Sequence, residues 1–200
     1  MLPYKFLHFP RTESKVYGDL ISKFLRGELG DIKNVNPYLV ALLYAGDREN
    51  AKHTINQWLQ KGYYVIVDRY VYSNIAFQTA KFKDEKEKQE LREWILHAEY
   101  QYFNIPKPDI NIFLNVPFEF IRKNLSNIRQ GDDRNYLKGK KDIHEASLDF
   151  QKNVLKEYLL LEKNDPDFHR IDCFHDQNSI FPAGDIFKHM INILKSNSVI

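Results

Sequence analysis

Short apolar runs of strand type alternate with longer segments of helical periodicity along almost the whole chain. The clearest run is Tyr63–Val67, where β-branched and aromatic residues follow a glycine and precede a charged pair. Further strands are predicted at Tyr4–Phe9, Asp109–Leu114 and Phe168–Cys173. Helices are predicted at about residues 15–25, 37–61, 71–81, 85–103, 117–128, 145–164 and 183–195. This alternation predicts an α/β fold in which a parallel sheet is flanked by helices on both faces, with ligands bound beyond the carboxyl ends of the strands.

The length and the composition limit the class of protein. Two hundred residues with a hydrophobic content of 43% suit one globular domain over residues 1–200. A net charge of +2 is too small to indicate a nucleic acid or a membrane as a partner. The single cysteine, Cys173, excludes an intramolecular disulfide. We expect a cytoplasmic location, because no apolar run is long enough for a membrane span.

The stretch VIVDRYVYSNIAFQ, residues 65–78, places a carboxylate and a guanidinium directly after the clearest predicted strand. Asp68 and Arg69 therefore lie at the sheet edge where ligands bind, although an exposed ion pair at a helix start explains them equally well. On the helix that follows, Ser73 and Phe77 are four residues apart and share a face. Charge, hydroxyl and ring together suit the phosphate, sugar and base of a nucleotide.

Three other segments carry candidate side chains. In VALLYAGDREN, Tyr44 and Arg48 are four residues apart on one predicted helix, but a tyrosine at the core edge and a solvent-facing arginine explain this pair more simply. The segment HFPRTES is either a ligand loop that carries Arg11 or an ordinary polar loop. Residues 129–142 are charged, contain glycine and lack periodicity, which predicts a mobile surface loop.

Five segments follow one another in an informative order and spacing: LHFPRTES, LLYAGDRENA, VIVDRYVYSNIAFQ, IPKPDINIFL and HEASLDFQ. They resemble the thymidylate kinase family, and they extend over nearly the whole chain. The resemblance implies the P-loop nucleoside monophosphate kinase fold and transfer of the γ-phosphoryl group of ATP to dTMP, which gives dTDP and ADP on the way to dTTP. It also implies Mg²⁺ as a cofactor and a homodimer, for which the helix at residues 38–59 could supply the interface.

The resemblance assigns the acceptor site residue by residue. Arg69 would hold the phosphate of dTMP, and Asp68 would help to organise Mg²⁺, through water, and the reacting phosphates. Phe77 would pack against the deoxyribose, where a ribose 2′-hydroxyl would clash; many relatives have a tyrosine at this position. Tyr44 would stack on thymine, and Arg48 would donate a hydrogen bond to a thymine carbonyl.

Further substrate contacts are implied around these residues. Ser73 and Gln78 would line the base pocket, with Gln151 near it. Phe9 and Arg11 match the loop that contacts the sugar and the phosphate of the substrate.

A LID loop at about residues 129–143 would bring Arg129 and Arg134 to the transferring phosphoryl group. Phosphoryl transfer requires mainly positioning and positive charge, which arginine supplies through planar, permanently charged donors. It requires no nucleophilic side chain, and the sequence shows no Ser-His-Asp or Cys-His arrangement and no metal-binding spacing of histidines.

The glycine-rich phosphate loop of the family, GxxxxGK[ST], has no counterpart in these 200 residues. We expect the central first strand, this loop and the first helix to be missing, which would leave hydrophobic strand edges unpaired and the chain as given inactive. An incomplete sequence is the favoured explanation, because the substrate-side motifs are intact. A non-catalytic dTMP-binding or dimer-partner homologue, and a strand supplied by another chain, are the alternatives. A different deoxynucleotide kinase also stays open, because dUMP would fit the same base contacts.

Overall fold

The computed structural model describes residues 3–32, 34–126, 132–140, 142–145, 147–176 and 179–200, with only the backbone of 124–126 and 132–134. In this part of the chain the strands are β1 (Tyr4–His8), β2 (Tyr64–Asp68), β3 (Asn111–Asn115), β4 (Phe168–Asp172), β5 (Phe174–Asp176) and β6 (Ser179–Ile180). The α-helices are α1 (Tyr17–Leu25), α2 (Pro37–Gln60), α3 (Val71–Thr79), α4 (Glu85–Leu96), α5 (Phe118–Ser126), α6 (Leu148–Asn164) and α7 (Ala183–Ser196). A π-helix at His97–Tyr102 follows α4 directly, and a 3₁₀ helix covers Asp132–Leu137. No helix of the described residues is long and apolar enough to cross a membrane.

The chain divides into two compact units. The first comprises Met1–Lys107 and Asp132–Glu157, and the second comprises Pro108–Gly131 and Tyr158–Ile200. The first unit contains the parallel pair β1–β2, and the second contains the parallel pair β3–β4 and the antiparallel pair β5–β6. The predicted α/β fold with parallel strands is confirmed, and the four predicted strands pair two by two. A single domain over residues 1–200 stays a prediction.

The sheet of the first unit is in register from Tyr4 opposite Tyr64 to His8 opposite Asp68. Because side chains alternate along a strand, each face of this sheet has its own environment. One face packs on α2 through a cluster of apolar side chains: Leu7, Val65, Val67, Phe9, Tyr70, Ala51 and Ile55.

The opposite face of this sheet is apolar and open. Tyr4, Phe6 and Ile66 are 58%, 57% and 51% exposed. Parallel sheets normally bury both faces, so this face is an unusually large apolar patch for a parallel pair.

Helix α2 begins and ends where its sequence predicts. The side chain of Asn36 accepts a hydrogen bond from the Tyr38 amide at 2.9 Å, and Pro37 occupies the first helical position. The helix ends at Lys61, and Gly62 then adopts a φ of +74°, which a side chain would oppose. This rigid helix carries Tyr44, Asp47 and Arg48.

The helix predicted at about residues 85–103 changes type before its end. Asp84 caps α4 by accepting hydrogen bonds from two backbone amides, but residues His97–Tyr102 wind as a π-helix. Glu99 lies in this π-helix and is 0% exposed.

The second unit is held by stacked aromatic rings. Phe113 of β3 stacks on Tyr158 of α6 with ring centroids 4.6 Å apart, and Phe168 of β4 lies against both rings. The β5–β6 hairpin was not predicted, because strands of three and two residues are too short to show a pattern of alternation.

Part of the segment 129–142, which the sequence predicted to be a mobile surface loop, is anchored to the core in the residues that the structure describes, and its mobility stays a prediction. Asp132–Leu137 forms a 3₁₀ helix, and Leu137 is buried in a core cluster with α1 and α2. The Arg26 guanidinium donates to the Tyr136 carbonyl at 2.7 Å, and the Ile143 amide donates to the Leu25 carbonyl at 3.0 Å. A few apolar residues in a charged segment are therefore enough to anchor it to the core.

Candidate functional site

A pocket lies in the first unit, beyond the carboxyl ends of β1 and β2. Its walls come from the loop after β1, from α2, from the start and middle of α3, and from the segment before α6. The lining residues are Phe9, Pro10, Tyr44, Arg48, Arg69, Tyr70, Ser73, Asn74, Phe77, Gln78 and His144. The structure thus brings together most of the substrate residues that the sequence predicted from three distant segments.

The loop after β1 is fixed by a buried carboxylate that sequence reasoning missed. Asp47 is 0% exposed and accepts from the Arg11 amide at 2.8 Å and from the Arg11 side chain at 2.8 and 3.0 Å. Asn50 accepts a further bond from Arg11, and the Ser14 hydroxyl donates to Asp47. Arg11 therefore does not line the pocket, and its interactions hold the loop that places Phe9 there.

Close backbone packing also fixes this loop. A side chain at Gly18 would put its Cβ atom 2.3 Å from the Arg11 carbonyl oxygen and 2.9 Å from the Thr12 carbonyl carbon. Only glycine allows α1 to approach the loop so closely. The glycine of the YG pair thus has a packing role at the edge of the site.

Arg69 lies at the turn from β2 into α3 and is exposed. Its φ of +62° is uncommon for a residue with a side chain, and such conformations concentrate at functional sites. No side chain or carbonyl of the described residues accepts a hydrogen bond from its guanidinium, which lies 5.1 Å from the centroid of the Phe77 ring. Tyr70, at the N-cap of α3, provides no side-chain cap, so the positive end of this helix lies beside the free guanidinium. A positive helix end and an exposed guanidinium side by side are features that suit an anion.

Asp68 is paired with His8 rather than with Arg69. The His8 Nδ1 atom and the Asp68 carboxylate are 2.8 Å apart, and both side chains are more than half exposed. The hydrogen bond from His8 lowers the pKa of the Asp68 carboxyl below its ordinary value of 3.8, so it is ionised at neutral pH. The simple interpretation of an Asp68–Arg69 ion pair is therefore not what the structure shows.

The structure offers one carboxylate, rather than a cage, to a magnesium ion. Across the residues that the structure describes there is no group of three or more His, Cys, Asp and Glu side chains that could hold a metal. Mg²⁺ commonly keeps several waters and binds through one or two carboxylates and the phosphates of a substrate. The exposed, ionised Asp68 at the carboxyl end of β2 fits that mode.

Arg48 is buried in the pocket wall and is only 1% exposed. Its Nε and Nη2 atoms each donate to a carboxylate oxygen of Glu99 at 2.5 Å. A solvent-facing arginine is thereby excluded; in the described part of the chain Nη1 has no partner, and Nη2 keeps a second hydrogen for which no acceptor is present. Glu99 was missed by sequence reasoning, although its spacing of four residues from the buried Ile95 and eight from the buried Leu91 was a usable signal.

Three residues of the pocket lining each carry a buried polar atom without a hydrogen-bond partner in the structure: Asn74 Oδ1, Gln78 Nε2 and His144 Nε2. Their residues are 4%, 1% and 5% exposed. An unpaired buried polar group costs about 1–3 kcal/mol, so such groups around one pocket indicate a polar ligand. Asn74 was missed by sequence reasoning, although its spacing of four residues from Gln78 on α3 was a usable signal.

Aromatic rings form the remaining wall. The Phe77 and His144 ring centroids are 5.0 Å apart, and Phe150 lies against both rings. Burial lowers the pKa of His144 well below 6.5, assisted by the charges of Lys81 and Arg69, so this ring is neutral. Gln151 donates to the His144 carbonyl at 2.7 Å and so supports the wall without lining the pocket.

The side chains of the two predicted LID arginines lie outside the described part of the chain. Arg129 lies outside the described residues, and only the backbone of Arg134, in the 3₁₀ helix, is described. Their contact with the transferring phosphoryl group stays a prediction.

Comparison with known proteins identifies relatives of this arrangement. The family model for thymidylate kinase matches residues 4–180. Thymidylate kinases from two strains of Mycobacterium tuberculosis are each 40% identical over 114 residues, which is 56% of this chain and 52% of the relative. The alignment thus spans about half the length of these curated relatives. A solved thymidylate kinase of Candida albicans superposes on this chain with a TM-score of 0.70 at 26% identity, over 98% of this chain and 80% of that chain. That structure is described as revealing the origin of broad substrate specificity.

Proposed function

The chain belongs to the thymidylate kinase family, and we propose that the protein acts in dTTP synthesis by transferring the γ-phosphoryl group of ATP to dTMP. An oxygen of the dTMP phosphate attacks the γ-phosphorus, the bond to the bridging oxygen breaks, and ADP leaves with that electron pair. The chain's own residues bind and orient the acceptor, and none of them forms a covalent intermediate.

The acceptor phosphate binds at Arg69. This is the observation that carries the proposal: an exposed guanidinium without a hydrogen-bond acceptor in the described chain, at the uncapped start of α3 and in a pocket with unpaired polar atoms. A phosphate supplies the acceptors that guanidinium and helix start both require. It also places the nucleophilic oxygen at the carboxyl end of β2, beside Asp68.

The base and the sugar fill the rest of the pocket. Tyr44 and the aromatic wall stack on the thymine, with the edge of the base facing Asn74, Gln78 and the free nitrogen of Arg48. Asn74 Oδ1 accepts from the ring N–H, and the donors face ring carbonyls. Phe77 lies below the deoxyribose and leaves no room for a 2′-hydroxyl, while Ser73 lines the pocket on the same helix.

Magnesium and ATP complete the reaction. Mg²⁺ would be held by Asp68 through water and would neutralise charge on the reacting phosphates. Arg129 and Arg134 would add positive charge from the LID. These 200 residues contain no GxxxxGK[ST] sequence to cradle the ATP phosphates, so we expect them alone to bind dTMP without transferring phosphate.

A homodimer in the cytoplasm is the proposed working form. Leu39 and Leu42 on α2 are 62% and 40% exposed, and Tyr102 of the π-helix is 78% exposed. An apolar surface on a long helix suits an interface between two copies.

Two other functions have specific support. A non-catalytic dTMP-binding homologue is favoured by the lack of a phosphate-loop motif in these residues. A kinase of another deoxynucleotide, such as dUMP, is compatible with the same base contacts, and the Candida albicans relative is described as having broad substrate specificity.

A phosphorylation assay separates these possibilities. The 200-residue chain and a chimera that adds the strand, glycine-rich loop and first helix of a relative are incubated with ATP, Mg²⁺ and either dTMP or dUMP. We expect dTDP from the chimera only, with a loss of several orders of magnitude on Arg69→Ala. Transfer by the 200-residue chain would refute the expectation about the phosphate loop, and a chimera that binds dTMP without transferring phosphate would favour the non-catalytic function.

A further inference from the structure

Two ionic side chains lie behind the base-binding amides. Glu99 accepts a hydrogen bond from Asn74 Nδ2 at 3.0 Å, and the Ala41 carbonyl accepts a second at 3.0 Å. Lys81 donates to Gln78 Oε1 at 2.6 Å. One amide thus faces an anion and the other faces a cation.

The chemistry of these partners determines the orientation of each amide. A carboxylate and a carbonyl only accept hydrogen bonds, so the nitrogen of Asn74 must face them and its oxygen is left free. While it is protonated, at a pH below its pKa of about 7, Lys81 only donates, so the oxygen of Gln78 must face it and the nitrogen of Gln78 is left free. The two free atoms, Asn74 Oδ1 and Gln78 Nε2, are buried without a partner in residues that line the pocket.

We propose that Glu99 and Lys81 are positioning residues, which fix the Asn74 and Gln78 amides in opposite orientations so that the pocket offers one acceptor and one donor to the base of dTMP. The inference rests on the proposed function, because it takes the edge of a pyrimidine as the ligand. A thymine or uracil ring carries an N–H group between two carbonyls, which supplies the donor and the acceptor that these amides require.

Burial helps Glu99 and Lys81 to fix the orientation of the two amides, because it limits competition from water. Glu99 is 0% exposed, and it also holds Arg48, so no water competes for its oxygens. Lys81 has no carboxylate partner in the described residues; its ammonium lies over the Phe24 ring at 4.9 Å, and burial lowers its pKa to about 7. Placing a charged amine in a partly buried site costs free energy, and its hydrogen-bond partner here is one amide oxygen. This indicates that the orientation of Gln78 is important for the pocket.

The first test measures the affinity of the 200-residue chain for dTMP by titration calorimetry at a pH one unit below the Lys81 pKa of about 7, where this side chain is protonated. Glu99→Gln replaces an acceptor by a donor at Asn74 or Arg48, and Lys81→Met frees the Gln78 amide to rotate. We expect each change to weaken dTMP binding by roughly tenfold to a hundredfold. The matched controls Glu93→Gln and Lys86→Met, at exposed positions of α4, should bind dTMP like the parent chain.

Double-mutant cycles distinguish positioning from a merely structural effect. In a Gln78→Ala background, Lys81→Met should cost less than about twofold, because the amide through which it acts is gone. In an Asn74→Ala background, Glu99→Gln should cost less than in the parent chain, with a remainder that acts through Arg48. Losses equal to those in the parent background, in both cycles, would overturn the proposal.

The outcome remains decisive if one variant fails to fold. Thermal unfolding identifies such a variant, and the Lys81 cycle then decides the proposal alone. A parent chain that binds no dTMP would contradict the proposed function and this inference with it, whereas normal binding by Lys81→Met would contradict the inference only.

Discussion

Replacing Gly18 by alanine should destabilise the first unit, although alanine is the better helix former. The added Cβ atom would lie 2.3 Å from the Arg11 carbonyl oxygen, about 1 Å closer than an ordinary contact. The obstructing atoms are backbone, so the helix and the loop must separate. Overpacking of this kind costs about 1–3 kcal/mol, and the gain in helix propensity is at most about 1 kcal/mol. We expect a net loss of roughly 1–2 kcal/mol in the free energy of unfolding.

Gly184 provides a matched control for this change. It is the second residue of α7, as Gly18 is of α1, but no atom of the described chain lies within 4 Å of a Cβ atom placed there. Gly184→Ala should therefore stabilise the second unit by about 0.4–1 kcal/mol, because alanine restricts the unfolded chain. The same substitution is thus predicted to have opposite signs at equivalent helix positions.

Urea unfolding measures both effects. Trp58 and Trp94 lie in the first unit, so their fluorescence reports on Gly18→Ala, and circular dichroism of the helices reports on Gly184→Ala. Gly18→Ala should also weaken dTMP binding, because the displaced loop carries Phe9 and Pro10. A Gly18→Ala variant as stable as the parent, with unchanged dTMP affinity, would refute the reasoning about close packing.

Two further predictions concern the pocket. Burial lowers the pKa of Lys81 from 10.5 to about 7, so between pH 7 and 9 the unfolded chain binds a proton that the folded chain lacks. The contribution of Lys81 to the free energy of unfolding should therefore rise with pH in this window, by up to about 1.4 kcal/mol per pH unit. Urea unfolding curves measure this rise. Lys81→Met should abolish it, and the control Lys86→Met should retain it. Phe77→Ala should reduce the preference for dTMP over the corresponding ribonucleotide in competitive binding, because the ring that would exclude a 2′-hydroxyl is gone; an unchanged preference would assign this selectivity to another residue.

The elements of the fold were predictable because their signals are local. The cap at Asn36, the proline at the first turn and the glycine after Lys61 define α2 within a residue. The β-branched run before Asp68 likewise marks β2 within a residue. Such patterns involve only residues that are close in sequence, so they can be recognised from a single sequence.

The polar interior was not predictable from such patterns. Asp47, between a glycine and an arginine, has no local signal of its contact with Arg11, which is 36 positions away. The contact between Glu99 and Arg48 joins residues 51 positions apart, and the partial burial of Lys81 beside Phe24 comes from tertiary packing. The burial of Leu137 in a core cluster was likewise not evident from the charged segment around it.

The candidate site was predictable in part. Phe9, Tyr44, Arg69 and Phe77 were predicted and do line one pocket. Arg48 was predicted as a direct base contact, but its ion pair with Glu99 leaves one nitrogen for that role. The residue type can be inferred from the sequence, whereas the number of free donors depends on the fold.

The central claim is that Arg69 anchors the phosphate of dTMP, and the most direct measurement is the affinity of the 200-residue chain for dTMP. The parent chain should bind one dTMP per pocket, and Arg69→Ala should weaken binding by about 2–4 kcal/mol, roughly 30-fold to 1000-fold. Arg122→Ala, at an exposed ion pair of α5, is the matched control and should bind like the parent. Equal affinity of the Arg69→Ala and parent chains, or no binding by either, would contradict the account.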